Sequence, residues 1–114
     1  MNKDSLERYR SAVSRYGTAI EAGKSRVANK AFDEIVRLSR QFRLGGPEVQ
    51  QMFLALLEDK NVWVRFDVAT CALEFAPAQA VSVLREIATG PRGPVRLHAE
   101  TILEQWEAGT LRLP

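Results

Sequence analysis

Few side chains in this sequence are of a type that carries covalent or metal chemistry. It has one cysteine, Cys71, and one histidine, His98. A metal site asks for several Cys, His or carboxylate ligands at short spacings, and neither a second histidine nor a cysteine pair supplies them, so no metal or other cofactor is expected. Cys71 and His98 together have the types of a nucleophile and its base. Cys71, however, lies in the apolar run Val68-Ala69-Thr70-Cys71-Ala72-Leu73, with no basic neighbour in sequence to lower its thiol pKa, and is expected to be structural. Gly90-Pro91-Arg92-Gly93-Pro94 is rich in glycine, but its prolines remove the backbone N–H donors that a phosphate cradle needs. No catalytic residue is assigned, and the chain is expected not to be an enzyme.

The remaining residues of interest are aromatic and polar, and a fold must position them. At 114 residues, folding buries roughly two-thirds of the surface of the unfolded chain, enough for one modest core and a single domain, 1–114. A composition that is 46% hydrophobic and 26% charged, with seven Gly and five Pro, excludes collagen, a disulfide scaffold and a wholly disordered chain. A lone thiol suits a reducing compartment, and Met1-Asn2-Lys3-Asp4-Ser5 leads straight into an amphipathic pattern with no apolar stretch near the roughly 18 residues of a membrane span. The expectation is a cytoplasmic protein with no membrane contact. The net charge of +2 is unevenly placed: residues 1–45 hold ten Lys/Arg against five Asp/Glu, and 46–114 hold six against nine. A basic half can meet an acidic partner or a phosphate backbone, or can simply be the solvated face of two helices.

Leu6, Tyr9, Val13, Tyr16 and Ile20 recur at steps of three and four, which is one stripe of a helix. Asp4 or Ser5 can cap it and Gly23 can end it; Gly17, inside it, marks a kink or a close helix crossing. Val27, Ala31, Ile35, Leu38 and Phe42, widened by Ala28 and Phe32, predict a second helix over 25–43. Gly45-Gly46-Pro47 stops it. Four shorter helices follow, over 47–58, 62–75, 77–88 and 94–108, and no segment alternates like a half-buried strand. Six helices in short-looped antiparallel pairs make an all-α domain. Its expected core is Leu6, Tyr9, Val13, Ile20, Ile35, Leu38, Met52, Phe53, Leu56, Leu57, Val68, Leu84, Ile87, Ile102 and Leu103.

The second half repeats weakly. Pro47 aligns with Pro77, and after a one-residue loop insertion Val64-Arg65-Phe66 lies on Val95-Arg96-Leu97, Thr70 on Thr101, Cys71 on Ile102 and Phe75 on Trp106. Each unit is a helix pair too small to cover its own apolar faces, so the units 47–75 and 77–108 must stack, with the pair in 1–45 as a degenerate first layer. The stretch from Asp59 through Val64-Arg65 to Ala72-Leu73 resembles the loop and second helix of a HEAT repeat. The whole chain, with its long N-terminal pair before a Gly-Pro and the phrases Trp63-Val64-Arg65 and Ala72-Leu73-Glu74-Phe75-Ala76-Pro77, is similar to a family of small bacterial HEAT-like proteins described as a domain of unknown function. That resemblance implies an armadillo-type α-α superhelix of three helix pairs and no assigned activity. It also implies that Asp59 and Arg65 bridge neighbouring units.

In such a stack the second helix of each unit lines the concave side. Val64, Val68, Cys71, Ala72 and Phe75 suit the interior of the fourth helix, which leaves Trp63, Phe66, Asp67, Thr70 and Glu74 on its other face. With Leu97, His98, Thr101 and Gln105 of the sixth helix they draw a groove for a protein partner, because exposed aromatic residues dominate interface energetics; the alternative is that the N-terminal pair covers Trp63 and Phe66. A non-catalytic binding module is the expected function, and a homo-oligomer is allowed. The second expectation is weak nucleic-acid binding along Arg8, Arg15, Lys30, Arg37, Arg40 and Arg43.

Overall fold

In the computed structural model, which describes residues 3–114, six helices follow one another: α1 (Lys3–Glu21), α2 (Ser25–Arg43), α3 (Pro47–Leu54), α4 (Val62–Ala72), α5 (Pro77–Ala88) and α6 (Pro94–Ala108). Residues 1 and 2 of the expected domain lie outside the described residues. No strand occurs among the described residues. The expected bounds of the second, fifth and sixth helices coincide with those of α2, α5 and α6. Two others differ. The third helix tightens into a 3-10 turn over Ala55–Glu58, a common way to finish a last turn. The fourth ends at Ala72 and not at residue 75, because Ala76 precedes Pro77 and must leave the helical region; its φ of −146° and ψ of 60° do so.

Burial follows the period of 3.6. On α2 the buried set is Ala28, Ala31, Ile35, Leu38, Ser39 and Phe42, so the stripe runs through Ala28, and Val27 and Phe32 at its edges are exposed. Met52, expected in the core, is exposed because its neighbour Phe53, about 100° further round the helix, takes the inward position and is fully buried. Leu6, Ile20, Leu56, Leu57, Ile102 and Leu103 are half-buried against the core, and the other expected core residues are buried. At its centre the Phe42 and Phe53 rings stack at 4.9 Å, and Tyr9 meets both edge-on at 5.7 and 5.2 Å, which ties α1, α2 and α3 together.

The arrangement of the first helix pair decides the shape. α1 packs on α2 along its length and also lies across α4 and α6. The radius of gyration, 13.2 Å, is about that of a compact domain of this length.

Candidate functional site

The residues expected to line a groove are divided by α1. Asn61 begins α4: its side-chain oxygen accepts the Trp63 N–H at 2.8 Å, and its amide donates to Ser14 Oγ of α1 at 3.1 Å. The cap, a contribution of about 1 kcal/mol, therefore also anchors α1 over the first turn of α4. Gly17 lies on the Trp63 indole so closely that a Cβ there would overlap the ring. Tyr16 and His98 pack edge-on against the indole at 5.8 and 5.4 Å, and His98 meets Phe66 at 5.9 Å.

The open groove is thus corrected on its α4 side. Trp63, Phe66 and Thr70 are buried at 4%, 8% and 8% exposure, and the Thr70 hydroxyl donates to Phe66 O within its own helix. The physical reason is that a glycine on α1 leaves room for the Trp63 indole directly against the α1 backbone, so the large ring that would line a groove becomes the filling between α1, α4 and α6. Asp67 is half-buried and faces α1. Glu74, beyond the end of α4, stays exposed and pairs with Arg43 at 3.3 Å. On α6, Leu97, Thr101 and Gln105 are exposed, with Leu97 at 62%, and His98 is half-buried. Burial lowers the His98 pKa, so its imidazole is neutral at pH 7.

Asp59 and Arg65 meet, though not as an ion pair of side chains. Arg65 Nη1 donates to the main-chain oxygens of Asp59 at 2.7 Å and Lys60 at 3.1 Å, while the Asp59 carboxylate accepts from Arg10 Nε of α1 at 2.7 Å and from the Asn61 N–H at 2.9 Å. Burial raises the Asp59 pKa, but Arg10 and the Asn61 N–H outweigh it and hold the carboxyl below its ordinary value. Arg96 Nη1 makes the equivalent bond to Gly90 O at 3.1 Å. Both arginines reach the main-chain oxygen six residues earlier, in the register of the sequence repeat.

A polar cluster built on the fully buried Tyr9 and the half-buried Asp67 escapes the sequence. The Tyr9 hydroxyl donates to the Asp67 carboxylate across 58 residues. Burial pushes the Asp67 carboxyl up to about 6, although the Tyr9 hydrogen bond and the Arg43 guanidinium both pull it down. Burial also raises the Cys71 thiol, and the Asp67 charge adds to the effect, so the thiolate that nucleophilic chemistry requires is disfavoured. Tyr9 reads as an ordinary member of an apolar stripe, and only its hydroxyl hinted at a partner. Among the described residues no group of His, Cys, Asp and Glu is arranged to hold a metal ion, and no helix is long and apolar enough to cross a membrane.

The basic side chains of the first half are largely engaged. Arg8 and Arg15 pair with Glu34 at 3.7 and 3.3 Å. Arg40 Nε and Arg43 Nη2 donate to the Pro114 main-chain oxygen at 3.2 and 3.0 Å. Lys30 and Arg37 are exposed. Pro114 reaches α2 because residues 109–114 leave α6 and fold back over the bundle, a feature whose sequence signal was Gly109 followed by leucines two apart.

The fold resembles the crystal structure of the protein RPA1889 from Rhodopseudomonas palustris CGA009, with a TM-score of 0.87 and 20% identity over 96% of this chain and 91% of that one. No protein-family model matches the chain, and no curated protein matches it in sequence.

Proposed function

We propose that this chain is a non-catalytic protein-binding module of HEAT-like helix pairs, related to the small bacterial HEAT-like proteins it resembles and acting in the cytoplasm. The observation that carries the binding reading is Leu97: it stands 62% exposed on α6, with Thr101 and Gln105 one and two turns further along the same exposed face, over a layer in which Trp63 and Phe66 are already covered. An exposed aliphatic side chain in the first turn of α6, at the head of a polar helix face, has the form of an interface anchor. The repeated bond from Arg65 and Arg96 to the preceding loop supports the HEAT-like reading. The raised Cys71 thiol supports a role without catalysis.

The test is affinity capture from native cytosol with the wild-type chain and with Leu97→Glu. A stoichiometric protein partner held by the wild type and lost by the variant, at unchanged melting temperature, is the expected result. Turnover of a substrate by the purified chain alone, or equal capture by both chains, overturns it. Nucleic-acid binding through α1 and α2 is the weaker reading, because four of its six basic residues already have partners. A gel shift in low salt decides it, since phosphate contacts make affinity fall steeply with salt.

A further inference from the structure

Residues 110–114 follow Gly109, which ends α6 at a φ of 73° and turns the chain by three bonds, Gly109 N–H to Trp106 O at 3.1 Å and the Thr110 and Leu111 N–H groups to Gln105 O at 2.9 and 3.2 Å. Beyond this turn the chain has no regular structure. Leu111 and Leu113 are half-buried, whereas Thr110, Arg112 and Pro114 are exposed, the alternation of an extended segment lying in a groove. The groove is bounded by Leu73, Glu74 and Trp106, and a cavity of about 370 Å³ remains beside the two leucines. At its far end Arg40 and Arg43 donate to the Pro114 main-chain oxygen. Arg43 is held ready for this: its side chain is 8% exposed beside Glu74, and its own carbonyl accepts from Gln50 Nε2 at 2.8 Å.

We propose that this groove is a peptide-binding site, occupied in the free chain by its own residues 110–114, and that its ligand is an extended segment of a partner protein with aliphatic side chains two residues apart followed by a main-chain oxygen. Three observations select that chemistry. The segment alternates exposed and half-buried residues, its half-buried side chains are two leucines, and Pro114 is held through a main-chain oxygen, which any peptide offers. After Leu111, which packs against the core, the segment is less secured: the two hydrogen bonds to Pro114 are exposed, and the cavity beside the leucines is unfilled. A tethered occupant acts at an effective concentration of about millimolar, so a partner peptide must either bind more tightly or arrive at a chain whose own segment is weakened. The proposal does not depend on the α6 face, which Leu97→Glu tests separately.

The test uses the full chain and the synthetic peptide Thr-Leu-Arg-Leu-Pro, followed by nitrogen-15 NMR at the Trp106 indole. In the double variant Leu111→Asp, Leu113→Asp the peptide is expected to shift that resonance saturably at a concentration about tenfold lower than in the wild type, and a peptide with both leucines replaced by Asp should do nothing. Leu113→Asp alone, at a half-exposed position, is read in the same way if the double variant loses its helical circular dichroism. Absence of a shift in a folded variant, or the same titration curve in variant and wild type, overturns the proposal. A wild-type dimer that the peptide dissociates also overturns it, because the occupant is then a second copy exchanging its segment.

Discussion

Replacing Asp67 by Asn tests whether the polar cluster is set as the structure has it. The folded Asp67 carboxyl titrates at about 6, against an ordinary value of 3.8. A shift of about two units corresponds to about 3 kcal/mol. The native state therefore binds this proton more tightly than the unfolded state does, so the associated stability is fully present below 3.8 and is lost as the pH rises through about 6. At pH 7.5 the ionised carboxylate is a cost. An amide of the same shape can still accept the Tyr9 hydroxyl, and it carries no charge to desolvate. Asp67→Asn is thus expected to be more stable than the wild type by up to about 3 kcal/mol at pH 7.5 and equal to it near pH 4. Burial lowers the His98 pKa, so its contribution has the opposite sign and acidification destabilises through it, but it contributes equally to both chains and cancels in their difference. Urea unfolding of both proteins between pH 4 and 8 measures that difference. A variant less stable than the wild type at pH 7.5, or a gap that does not narrow on acidification, would refute the reasoning.

The Gly17–Trp63 contact gives a second test: Trp63→Ala should lose roughly 3–5 kcal/mol by leaving a cavity between α1, α4 and α6, and its thermal melt measures this. Gly17→Ala should also destabilise, by about 1–3 kcal/mol, even though alanine is the better helix former by about 1 kcal/mol; in the double variant the overlap is relieved, so losses that simply add would contradict the packing described. Cys71, buried and with its thiol raised, should react with a thiol reagent only at the rate at which the chain opens, and rapid labelling of the native protein would place it at the surface.

The local elements of this protein are written in the sequence. Apolar residues at steps of three and four, with prolines at 47, 77 and 94 opening helices and glycines at 23, 45, 90 and 109 following the ends of others, specify six helices, and the bounds of α2, α5 and α6 follow from those signals alone. The repeat at Val64-Arg65 and Val95-Arg96 is equally local, because each arginine reaches a loop oxygen six residues away. Gly17 marks a kink or a close crossing in the sequence, but not which of the two, nor the ring it meets. What α1 covers depends on a partner 46 positions further along the chain, and no periodicity within α4 tells whether Trp63 or Val68 faces solvent when both faces are apolar; both turn out buried. The link from Tyr9 to Asp67 and the return of residues 110–114 to α2 are of the same kind. Helical period and capping act over a few residues, whereas the burial of Trp63 and the charge state of Asp67 depend on α1 lying across α4 and α6, and the occupied groove depends on α2 and α6 standing where residues 110–114 can span them.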